Sequence, residues 1–458
     1  MSASAATVSL RVIAGRGEVC MSGTLRRGKS RAWLRASELA ANTPSSRNRY
    51  VDFLRAASIC VVIVGHWLIA APFVEDGTLR FDNMLNQAPW TQWLTWAFQV
   101  MPLFFIVGGY SNGISWQSAK KANSSYNLWL AARLNRLIGP IVPLIILWAL
   151  IAVAARYMEV DPGLIKSGSQ LAMIPTWFLA VYIMVVVLTP VTHHAWHRFG
   201  MGSFWGLALG AAVIDFVGLS FDLPLLRWVN YGFVWLSVHQ LGYLWHEGRI
   251  LGWFQALRWA ASGLLLLLIL IYAASYPISM LTVPGEVVSN SRPPSLALLA
   301  LGVLHFGVLL ALEQPLRRWL QKPLPWTVAV LVNGTIMTLY LWHVTVMVLV
   351  VGLLNLLGAF GLGVIPDTPL WWATRPLWIL LLGGILLGFV ALFSRFEQTA
   401  KSGTAIAPPT WLMVIGAICV CLSLAAMTLH GIHIGALFLA LAGAFLVLGK
   451  YQRLTETH

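Results

Sequence analysis

Charge is scarce in this chain. Asp, Glu, Lys and Arg together make up 10% of it, where a soluble domain carries about 25%. An ordinary water-exposed globule is excluded on that ground. Cysteine is sparse too: Cys20 lies in the N-terminal tail, and Cys60, Cys419 and Cys421 lie in apolar runs. Their spacing suggests neither a zinc site nor a disulfide frame, and they read as small buried hydrophobes. The ten-residue alternating segments of a membrane β-barrel are missing. So are a nucleophile elbow, a P-loop and a dinucleotide fingerprint. The N-terminal tail has no apolar h-region and does not read as a signal peptide.

What the chain does have is hydrophobicity, at 58% of residues, gathered into long runs. A hydrocarbon core roughly 30 Å thick needs about 20 apolar residues per helix, and backbone in lipid must satisfy its own hydrogen bonds. The runs therefore predict an all-α polytopic membrane bundle of about twelve helices. The spans are 51–71, 95–116, 137–155, 172–189, 203–221, 231–245, 259–276, 295–312, 329–354, 377–393, 411–429 and 432–448. The last two follow a Gly/Pro/Thr break and extend a ten-helix core. Three segments result. Residues 1–46 form a basic tail expected to be largely disordered, 47–402 a membrane domain, and 410–458 two added helices with a short tail.

The formal net charge of +14 invites a nucleic-acid reading, but its distribution opposes one. With the N-terminus inside, the inside segments hold 23 Lys and Arg and the outside loops 6. This is the positive-inside asymmetry of a membrane protein. It predicts a plasma (inner) membrane location with both termini cytoplasmic, and no nucleic-acid partner.

Ionisable residues inside a membrane are expensive and point to function. The first span carries Asp52, Arg55 and His66. Eleven residues at 100° each return to within about 20° of the starting azimuth, so Arg55 and His66 share a face about 16 Å apart. Arg55 is expected near the cytoplasmic surface and His66 near the middle of the bilayer, with Asp52 pairing Arg55 at a spacing of three. Arg133 and Arg136 end the next inside loop as a fork suited to phosphate. Tyr340 and His343 share a helix face. The Met101–Tyr110 stretch, with its paired glycines, reads as close helix packing. His193, His194 and His197 have superficial metal spacing, but no Cys or carboxylate completes a site, and no metal is expected. A buried His-Arg-Asp set also suits a proton-coupled solute transporter, although no repeated pair of interrupted helices marks two halves.

Taken together these motifs resemble the acyltransferase 3 family of membrane O-acyltransferases. Arg49-Tyr-Val-Asp52-Phe-Leu-Arg55 followed by His66 is similar to that family's Arg-x10-His first helix, and Arg133-Leu-Asn-Arg136 to its Arg-x-x-Arg motif. Phe104-Phe105 with Gly108-Gly109-Tyr110 resembles its aromatic-glycine helix, departing at two positions. Pro175-Thr-Trp177-Phe178-Leu179, Tyr340-Leu-Trp342-His343 and Arg395-Phe-Glu397 resemble further motifs. The resemblance implies transfer of an acyl group from acyl-CoA to a hydroxyl of a carbohydrate or lipid-linked acceptor at the membrane, with no permanently bound cofactor. It implies His66, Arg55 and Asp52 as catalytic residues and Arg133 and Arg136 as the donor site. Trp177, Tyr340, His343 and Glu397 would line the site.

Overall fold

The computed structural model describes residues 31–44, 47–250, 252–397 and 407–449. They form α1 (Arg31–Ala41), α2 (Arg49–Ile69), a hairpin of β1 (Ala70–Glu75) and β2 (Thr78–Asn83), α3 (Met84–Gln87), α4 (Thr91–Phe98) and α5 (Met101–Lys121). Then come α6 (Tyr126–Ile138), α7 (Ile141–Tyr157), α8 (Pro162–Met173), α9 (Thr176–Phe199), α10 (Met201–Ser220), α11 (Pro224–Arg227) and α12 (Asn230–His246). The chain continues through α13 (Trp253–Ala273), α14 (Leu296–Trp319), α15 (Pro323–Asn333), α16 (Ile336–Leu356), α17 (Pro369–Phe393), α18 (Thr410–His430) and α19 (Ile434–Leu448). The molecule is an all-α polytopic membrane bundle. Its one described sheet is the β1–β2 hairpin, whose Asp76-Gly77 turn has positive φ at both residues, as a two-residue hairpin turn requires.

Among the described residues, ten helical stretches are long and apolar enough to cross a membrane, against the twelve spans expected. The other two expected spans are shorter helices, α12 of 17 residues and α19 of 15. α12 is buried along nearly its whole length and packs against α5, α9 and α10, so protein rather than lipid surrounds it. α19 is about 22 Å long at 1.5 Å per residue, less than a hydrocarbon core. The single span expected over 329–354 is also two helices. The backbone leaves helical geometry at Thr335 (φ −135°, ψ 23°).

The chain divides into two compact units. Among the described residues the first comprises 31–44, 47–53 and Pro315–Gly334. Here the expected disorder of the tail does not extend to residue 46, because Arg31–Ala41 is a helix. Its face fits α15, with Ala40 packed in a cluster with Trp326 and Ala329. Trp326 Nε1 donates to Thr43 Oγ1 at 3.0 Å, and the Arg49 guanidinium lies over the Trp326 ring. Residues 1–30 lie outside the described residues.

The second unit comprises the described residues within Leu54–Gln314 and 335–449. Its centre is the contact of α5 with α12. A Cβ placed on Gly109 would sit 1.8 Å from the His239 carbonyl oxygen, and one on Gly242 would sit 2.2 Å from the Ile106 oxygen. The two backbones therefore touch. Phe105, Phe178 and Trp235 fill the space beside this crossing, with Phe105 stacked on Trp235 at 4.3 Å. Asp215 ties three segments together: it accepts from Leu296 N at 2.6 Å, from Asn230 Nδ2 at 3.1 Å and from the Tyr276 hydroxyl at 3.2 Å. Burial and that carboxylate push the Tyr276 phenol up from its ordinary pKa. α18 and α19 form a hairpin closed at Gly416 and Gly443, and α18 packs on α9 and α8.

Candidate active site

Two histidines 277 residues apart meet in the second unit. His66 lies in the last turn of α2. It stands toward the end of the helix opposite Arg55, three residues before the helix stops at Ile69. His343 lies on α16, the most buried of the long apolar helices at 72%. Their rings stack with centroids 5.0 Å apart, and His66 Nδ1 is 2.7 Å from His343 Nε2.

The partners of this pair assign its protons. His343 Nδ1 is 2.6 Å from the Tyr340 carbonyl oxygen. A carbonyl only accepts, so Nδ1 carries the hydrogen. In neutral His343 the Nε2 lone pair is then left to accept, and His66 Nδ1–H is its donor. Neutral His66 therefore keeps an unprotonated Nε2, the form that can take a proton. His343 is fully buried while His66 is half-buried, so the hydrogen-bonded series runs from the protein interior to a partly exposed residue. Trp67 Nε1 donates to the His343 carbonyl at 3.0 Å and holds the two helices in register.

The other expected residues fall around or away from this pair. Tyr340 is buried, and its hydroxyl donates to the Pro175 carbonyl at 2.5 Å, which ties α16 to the start of α9. Trp177 has Phe178, Tyr231 and Trp235 as ring neighbours. Glu397 meets the first turn of α16. Its carboxylate accepts from Met337 N at 3.0 Å and from Thr338 N and Oγ1 at 3.1 and 2.9 Å. It caps the N-terminus of α16, where unpaired N–H groups and the helix dipole favour an anion. Asp52 belongs to the first unit and accepts from Arg47 Nε at 2.6 Å.

A second group is cationic. Arg55 Nη2 donates to Ser111 Oγ at 2.8 Å. Four residues further along the same face of α5, Ser115 Oγ accepts from Trp129 Nε1 at 2.8 Å, and the Arg133 guanidinium lies 5.8 Å from the Trp129 ring centroid. Arg133 is within Coulomb range of Arg136 and Arg55. Three guanidinium groups thus share one region, a charge arrangement that an anion relieves. Sequence reasoning missed Ser111, Ser115 and Trp129. The available signal was two serines at i and i+4 in the middle of α5.

The triple histidine segment of α9 forms a separate polar group, with His197 Nε2 3.1 Å from His193 Nε2. Among the described residues no set of three or more His, Cys, Asp or Glu is placed to hold a metal ion.

A family model described as an acyltransferase domain matches residues 48–395. No curated protein and no solved structure matches the chain. The matched stretch contains both histidines and all three arginines of the second unit's site; Glu397 and the α18–α19 hairpin lie beyond it.

Proposed function

The chain belongs to the acyltransferase 3 family, and we propose that it moves a short acyl group, such as acetyl, from acyl-CoA to a hydroxyl of a cell-envelope glycan, glycolipid or similar lipid-linked acceptor. The family match makes it a multi-pass membrane acyltransferase rather than a transporter. The observation that carries the finer reading is the hydrogen-bonded series from the Tyr340 carbonyl through His343 to His66. In this mechanism His66 Nε2 removes the acceptor hydroxyl proton as its oxygen attacks the thioester carbonyl. The C–S bond then breaks, and the CoA thiolate leaves and is protonated by the His66 imidazolium. His343 holds His66 in the required tautomer and shares the positive charge that develops on it. Arg55, Arg133 and Arg136 hold the donor phosphates. Eleven residues of helix, about 16 Å, separate Arg55 from His66, and the extended arm of the donor would bridge them.

The direct test is covalent transfer by the purified protein in detergent, followed by mass spectrometry with acetyl-CoA and envelope glycolipids. An acceptor that gains an acetyl mass supports the reading; acetyl-CoA left intact with every acceptor fraction opposes it. The arginine group makes a narrower claim. With Arg133→Gln and Arg136→Gln combined, CoA affinity should fall at least about tenfold, since each charge-assisted contact contributes about 1.5–3 kcal/mol. Calorimetry showing unchanged affinity would return both residues to simple membrane anchoring.

Orientation supplies another check. The loop charge asymmetry places the 120–136 segment and both termini in the cytoplasm. In a cysteine-free background, Val287→Cys, at a position that is 99% exposed, should react with an impermeant thiol reagent in intact cells. Ala122→Cys should react only after permeabilisation. The reverse pattern would invert the topology and with it the side on which the donor enters.

A further inference from the structure

A groove of about 850 Å³ opens between α10 and α13, floored by residues of α14. Its origin is visible in the helix contacts. α13 is pressed onto α14, where a Cβ on Gly263 would lie 2.3 Å from Leu304 N and one on Gly307 would lie 2.1 Å from Ala260 N. α10 leans instead on α12, where a Cβ on Gly210 would meet the Phe233 ring at 2.5 Å. Each wall has a different partner, so the walls part. The lining is apolar except for Gln255, Arg258 and Ser262 of α13. These are the only side chains of that helix, apart from its tryptophans and tyrosine, that carry a polar group. Their spacing of three and four puts them in one stripe. Arg258 is the only charged residue in the lining, and no acidic residue faces it there.

Arg258 stands near the N-terminal end of α13, just before the apolar run 259–276, at the depth where a cation meets lipid headgroups. Its complement is an amphiphile with a negative head and a hydrocarbon tail. We propose that this groove binds an anionic phospholipid, with the phosphate on Arg258 and Gln255 and an acyl chain lying past Ser262 and Leu266 against α14. An Arg–phosphate contact supplies the charge-assisted hydrogen bonds, and the chain removes the exposed apolar walls from competition with mobile lipid. The site is independent of the catalytic reading.

The test is native mass spectrometry of the full chain in detergent, titrated with phosphatidylglycerol and with phosphatidylcholine of the same acyl chains. Phosphatidylglycerol should be retained about tenfold more tightly. Arg258→Gln should remove that preference, and Arg258→Lys should keep most of it, which separates loss of charge from misfolding. Ala208→Trp, which fills the trough and leaves Arg258 in place, should weaken retention of phosphatidylglycerol. Equal retention of the two lipids by the unaltered chain, or an undiminished preference in Arg258→Gln, would overturn the proposal and leave only non-selective boundary lipid.

Discussion

His66→Gln is expected to reduce acyl transfer to background while the protein still folds and still binds CoA. Glutamine keeps the approximate size of the imidazole, and its amide can still donate to His343 Nε2, so the contact between α2 and α16 survives. It cannot take a proton from an alcohol. General-base catalysis contributes about 10²–10⁴-fold, and the loss should appear in kcat rather than in donor affinity. His343→Gln tests a different role. It leaves His66 chemically intact but removes the partner that fixes its tautomer, so activity should fall by less than in His66→Gln. Arg55→Lys should raise the apparent KM for the donor, because a point charge does not replace a planar fork. The informative comparison is single-turnover transfer beside thermal unfolding. A His66→Gln protein with near-normal transfer would refute the assignment of the base. An inactive protein with an unfolding temperature far below the parent's would instead mark His66 as structural.

Gly109→Ala should be the most damaging small substitution in the bundle. The added methyl has no room: it would lie 1.8 Å from a backbone oxygen of α12 and 2.9 Å from the carbon behind it. A flexible side chain could swing away, but a helix backbone cannot. The α5–α12 contact would have to open, and with it the packing of Phe105 against Trp235. Overpacking of this kind destabilises by about 1–3 kcal/mol and sometimes more; a clash with main chain belongs at the upper end. Gly384→Ala is the control. That glycine lies on α17 with nothing within 4 Å of its added Cβ, and glycine inside a helix is about 1 kcal/mol worse than alanine. The control should therefore be neutral or slightly stabilising. Thermal unfolding in detergent with the two variants equally affected would remove the close-contact explanation.

Much of the bundle was readable because lipid imposes one rule on every span: about twenty apolar residues and a self-satisfied backbone. Three segments depart from it, and α19, at 15 residues, is simply shorter than the rule asks. α12 lies among protein helices, so it escapes the length requirement, and Thr335 breaks a continuous apolar run by backbone geometry that hydropathy does not register. The tail helix α1 was missed because its polar composition says nothing about the groove that α15 offers it. In the site, the shared face of Arg55 and His66 followed from helical periodicity within one span. Their partners did not. The His66–His343 contact joins segments 277 residues apart, and no local pattern encodes such a pairing. Glu397 was expected to line the site because its identity was legible and its direction was not; its carboxylate meets two backbone N–H groups and one hydroxyl at the start of α16. Ser111 and Ser115 were passed over because serine in an apolar helix most often bonds its own main chain.

The bond from His343 to the Tyr340 carbonyl joins residues three apart on one helix. The placement of the proton on that imidazole is consequently a property of α16 by itself. No neighbouring helix has to arrive before His343 presents its lone pair outward, and the side chain at position 340 is irrelevant to the arrangement, since the acceptor belongs to the main chain. Tyr340→Phe would release Pro175 and leave the proton where it is. Folding then has one inter-helix task at this point, to bring the last turn of α2 against a receptor whose polarity is already set.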